Sequence, residues 1–121
     1  MRALVLLLLA LPTVAQAQAL GLDPLVDRFA ACAGRLDGLM EHQWMRDDPA
    51  SGETEARVET LRDLVDAAIA PRKASAALAR EHEAKLAWER LMKRAEEEED
   101  GGWALERAEA EIETCTQLLL E

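Results

Sequence analysis

DPLVDRFAACAGRLDGLMEHQWMR, residues 23–46, is the stretch whose reading sets the fold class. Asp23 followed by Pro24 reads as an N-cap and a proline at the first helical position. Beyond it, Leu25, Phe29, Cys32, Leu36, Leu39 and Gln43 recur at spacings of three and four, and Val26, Ala33, Met40 and Trp44 widen the stripe. Such spacing returns side chains to one face of a 3.6-residue helix. The predicted helix runs to about Arg46, where Asp47-Asp48-Pro49-Ala50-Ser51-Gly52 forms a loop.

The same period organises the rest of the chain. A second helix is expected from Glu53 or Thr54, with Val58, Leu61, Val65 and Ala68 as its stripe and Leu64 and Ile69 beside it. Pro71 removes a backbone donor and clashes with the preceding turn. The third segment carries Ala77, Ala84, Trp88, Leu91 and Ala95, out of phase with the second stripe, with Leu78 and Met92 on its flanks. That mismatch predicts a break near Pro71, with one helix bent there as the alternative. After the acidic run Glu96–Asp100 and the turn Gly101-Gly102, a last helix spans Trp103–Leu120 with Leu105, Ala108, Ile112, Cys115 and Leu119 as its stripe. The expected fold is all-α: a small antiparallel bundle of four helical segments.

Cys32 and Cys115 each lie on the apolar stripe of their own helix, 83 residues apart. In an exported protein, two thiols so placed predict a disulfide stapling the bundle; pairing between chains and free thiols are the alternatives. The bond constrains topology. Cys32 stands ~21 Å and Cys115 ~18 Å above the end where an up-down-up-down bundle brings the first and last helices together. Were residues 54–99 one straight helix, ~69 Å long, the sulfurs could not meet.

The expectation of export comes from the first nineteen residues. Met1-Arg2 is a short positive segment, Ala3–Leu11 is apolar, and Ala15-Gln16-Ala17 and Ala17-Gln18-Ala19 are overlapping A-x-A cleavage sites. Nine apolar residues fall well short of the ~20 that span a bilayer core. Residues 1–19 therefore read as a cleaved signal peptide and 20–121 as a single helical domain, with no membrane span after cleavage. The Ala/Glu/Arg-rich body without Asn points to a bacterial periplasm, with secretion as the alternative.

The chain has 121 residues, 50% of them hydrophobic, and a net charge of −10. Loss of Arg2 with the signal makes the mature domain one unit more negative. That balance excludes nucleic acid as an expected partner, because phosphate binding needs clustered Lys and Arg.

Constellations for chemistry are sparse. His42 beside Met40 and Met45 could meet a soft metal, but the spacing matches no known ligand set, and a surface or rim position is the expectation. Neither His42 nor His82 is preceded by Glu at three residues, as a di-iron bundle requires. No C-x-x-C-H, Gly-rich phosphate cradle or nucleophile set is present, so no cofactor and no catalytic residue is expected. Glu81–Lys85, Lys85–Glu89 and Glu89–Lys93 read as i,i+4 pairs of a solvated face.

Trp44 ends the first helix and Trp103 starts the last, so the bundle sets them at one end, either closing the core or standing exposed as interaction anchors. The functional expectation is a non-catalytic periplasmic protein–protein interaction module: an accessory subunit, adaptor or inhibitor. The alternative is a module binding a small ligand or divalent cation, through the acidic run or the bundle interior. An enzyme comes third.

Overall fold

A computed structural model describes residues 21–99 and 102–120. Residues 1–20, where the expected signal peptide falls, and Asp100, Gly101 and Glu121 lie outside the described residues. Among the described residues there are four α-helices: α1, Pro24–Met45; α2, Ser51–Ala68; α3, Ala74–Glu97; and α4, Gly102–Leu120. Asp23 caps α1 as its sequence predicts, its Oδ1 accepting from the Leu25 amide at 2.9 Å. At the other end Asp47 takes φ 52°, and its amide and that of Asp48 donate to the carbonyls of Trp44 and Gln43. That pair of bonds satisfies the last carbonyls of α1 and turns the chain into the loop.

The middle of the chain is broken, not bent. Ile69 (ψ 142°) and Ala70 (ψ 137°) are both extended, and for Ala70 this is the conformation imposed on the residue preceding proline. Pro71–Lys73 then forms one 3₁₀ turn that leads into α3. With the direction reversed there, α4 returns alongside α1. Cys32 and Cys115 are bonded within the chain, their Cα atoms 5.3 Å apart.

Where the sequence shows one stripe on α1, the structure uses three faces. Leu36 and Ala33 pack with Val58 and Leu61 of α2; Cys32 meets α4; Gly34 and Gly38 meet α3. At about 100° per residue, Cys32 and Ala33 lie roughly 40° and 60° to either side of Leu36, and the two glycines lie roughly 160° from it on the opposite side. From Ala30 to Met40 every position but Arg35, Asp37 and Leu39 is therefore buried, and α1 is the central helix. Two glycines in a helix interior each cost ~1 kcal/mol in propensity. Here they are required: a Cβ on Gly34 would overlap the Glu81 carbonyl oxygen, and one on Gly38 would stand 2.9 Å from Cε3 of Trp88.

Small residues also set the α3–α4 contact. Ala104, Ala108 and Cys115 are fully buried, while Leu105, Ile112 and Leu119 of the expected stripe are only half-buried. Alanines let α4 approach until the Trp88 indole Nε1 donates to the Ala108 carbonyl at 3.1 Å. At the ends of α1 the stripe is overturned: Leu25 and Trp44 are exposed.

Candidate interaction surface

Three tryptophans divide by environment. Trp88 is 3% exposed and belongs to the core, between Gly38 and Ala108. Trp44 and Trp103, at the end of the bundle where α1 finishes and α4 begins, are 50% and 54% exposed. Neither closes the core. Met45 beside Trp44 is 78% exposed. Arg94 lies over the Trp103 ring, its guanidinium carbon 4.9 Å from the centroid, while its Nε donates to Glu98. A cation held on one face fixes the indole without burying the other.

Toward this end α1, α3 and α4 enclose a groove of about 670 Å³. The disulfide draws α4 onto α1 at one level, and α4 otherwise packs mainly on α3. The groove opens below that clasp. Its apolar lining includes Leu39, Trp88, Met92, Leu105 and Ile112. His42 stands edge-on to Trp88 with ring centroids 6.4 Å apart, at the rim position its sequence suggests. Glu96, Glu109 and Glu113 also line the groove, against a single cation, Arg46.

A second cleft of about 340 Å³ lies between α2 and α3, over Ala30 and Ala33 of α1, with Val65, Ile69 and Ala77 on its walls. Arg62 spans it, donating through Nε to Glu81 at 2.7 Å and approaching Asp37 at 3.5 Å. Asp37 also receives Lys85 at 3.2 Å, and the same ammonium donates to Glu41. Burial alone would lower the Lys85 pKa, but the hydrogen bonds it donates to Glu41 and Asp37 outweigh it and hold the group above the ordinary lysine value. These bonds correct the expected surface pairing. Lys85 and Glu81 turn inward to α1 and α2 instead of pairing along α3, because Gly34 brings the α3 backbone against α1 at this level.

Among the described residues, no group of three or more His, Cys, Asp or Glu side chains is arranged to hold a metal ion. His82 is exposed. Of the acidic run, Glu96–Glu99 lie at the end of α3 and Asp100 lies outside the described residues. No helix among the described residues is long and apolar enough to cross a membrane. The sequence reading located both exposed tryptophans but not the groove between them and the disulfide; the inward pairing of Lys85 was also missed. One signal was available: Ala30, Gly34 and Gly38 recur at four-residue spacing, the pattern of a close helix contact.

The chain matches no protein-family model, no curated protein and no solved structure.

Proposed function

We propose that this protein is a non-catalytic interaction module of the bacterial periplasm, an accessory subunit, adaptor or inhibitor that binds a protein partner through the Trp44/Trp103 end of the bundle. The observation that carries this reading is the half-exposure of two tryptophans at one end, beside an exposed Met45 and an apolar groove. A small domain gains from burying such side chains, since a tryptophan offers 150–250 Å² of surface at roughly 25 cal/mol per Å². Aromatic side chains left outside are the residue type that dominates binding hot spots. The Arg94 stack holds the Trp103 ring in place, which reduces the ordering cost to be met on binding. Export rests on the segment 1–19.

Photo-reactive residues introduced at 44, 103 and, as a control, the exposed position 59 on α2 test the reading in cells of the source organism. A discrete adduct from 44 and 103 but not from 59 is expected. Adducts from none of the three positions, or from 59 alone, would count against it.

A further inference from the structure

Resting on the reading of that end as a binding surface, we infer that the α1–α3–α4 groove takes a basic amphipathic helical segment of the partner protein. Three observations converge. The groove runs between Leu39 and Arg46 on α1 and alongside Trp88–Glu96 on α3, a length of about 10–12 Å, or two helical turns. Its floor is apolar, formed by Leu39, Trp88, Met92, Leu105 and Ile112, which suits side chains arriving at i, i+3/i+4 and i+7. Its charged lining is one-sided, with Glu96, Glu109 and Glu113 facing Arg46.

The walls are helices whose backbone groups are bonded internally. They offer no free strand edge, so the occupant must be recognised through side chains. An extended peptide would leave its own amides unpaired over an apolar floor, whereas a helix carries its backbone bonds with it. Lysines or arginines flanking its apolar face would meet the three carboxylates. An acidic segment would add like charge to a chain already at −10. The rim carboxylates select the partner's sign and speed its approach, while Leu105 and Ile112 supply the apolar contact.

The probe is a fluorescein-labelled Leu/Lys amphipathic helix of about 18 residues, long enough to be helical, beside its Leu/Glu counterpart. Both are titrated with the full-length protein at physiological salt. The Leu/Lys peptide binds and the Leu/Glu peptide does not. The triple variant Glu96→Gln/Glu109→Gln/Glu113→Gln binds about tenfold more weakly and with a smaller salt dependence. The same charge change on the exposed face of α2, Glu55→Gln/Glu59→Gln/Asp63→Asn, moves affinity less than about twofold. Leu105→Lys abolishes binding by setting a cation in the groove. Equal losses from the two triple variants, binding of both peptides, or failure of the Leu/Lys peptide to bind overturns the inference. Crosslinking from positions 44 and 103 does not depend on the partner's charge. A captured partner combined with charge-blind peptide binding therefore overturns this inference and leaves the interaction surface standing.

Discussion

The carbonyl oxygen of Glu81 occupies the space that a side chain on Gly34 would need. This contact places α3 against the backbone of α1, the element that also carries α2, while α4 packs mainly on α3 and is clasped to α1 by the disulfide. Nothing in that contact is flexible, because the obstructing atom is main chain.

Gly34→Ala is therefore expected to destabilise the protein although alanine is the better helix former. Propensity favours the substitution by ~1 kcal/mol, and overpacking against a rigid backbone opposes it by ~3 kcal/mol or more. The net loss of about 2 kcal/mol lowers Tm by roughly 8 °C or more, at ~4 °C per kcal/mol for a domain of this size. Unchanged or raised stability in a urea titration would show that the helices do not approach as closely as described.

Cys115→Ser removes the staple and leaves a hydroxyl where the side chain is wholly buried. The expected cost is about 2–5 kcal/mol, from the lost constraint on an 83-residue loop and from the unpaired polar group. Tm falls by at least ~8 °C. Mass measurement of the unreduced protein precedes this experiment; two free thiols in protein from an oxidising compartment would contradict the bonded fold.

Alkaline pH should weaken the fold through Lys85. Its pKa is raised on folding, so the folded state holds the proton more tightly than the unfolded chain does. The resulting stability is fully present below the unfolded value of about 10.4 and is lost as pH rises through the folded value. Denaturation midpoints should therefore begin to fall above roughly pH 10. Lys85→Met should flatten that decline and cost about 1–3 kcal/mol at neutral pH, since Asp37 keeps only the more distant Arg62. An identical alkaline slope in this variant would remove Lys85 from the explanation.

Asp47 is the one described non-glycine residue at positive φ, and it carries its negative charge to the C-terminal end of α1. Both features are unfavourable. Asp47→Gly should raise stability by about 0.5–1 kcal/mol, read as a higher Tm with the two capping bonds retained. A lower Tm would indicate that the Asp47 side chain contributes something the backbone geometry does not reveal.

The order of helices, the cap at Asp23, the break before Pro71 and the Cys32–Cys115 pairing were all legible in the sequence. Each depends on local chemistry or on the period of apolar residues along one helix. What escaped the reading depends on two helices at once. Gly34 and Gly38 look like weak points in α1 until Glu81 and Trp88 stand opposite them. Lys85 sits at the right spacing to pair with Glu89 on its own helix, and only the closeness of α1 redirects it to Asp37 and Glu41. Leu105 and Ile112 carry the larger side chains on their stripe of α4, yet the alanines beside them are the more deeply buried, because Trp88 fills the space between α3 and α4. The groove is a consequence of that offset, and no single-helix pattern records it.

The claim that the Trp44/Trp103 end binds a partner is tested most directly with the double variant Trp44→Ala/Trp103→Ala and the partner captured by crosslinking. Two aromatic anchors at about 1 kcal/mol each imply an affinity loss of roughly 30-fold. Because both side chains are half-exposed, Tm should move by less than ~8 °C. Binding weakened to that extent with the fold intact is the predicted result; affinity unchanged within about twofold would contradict it.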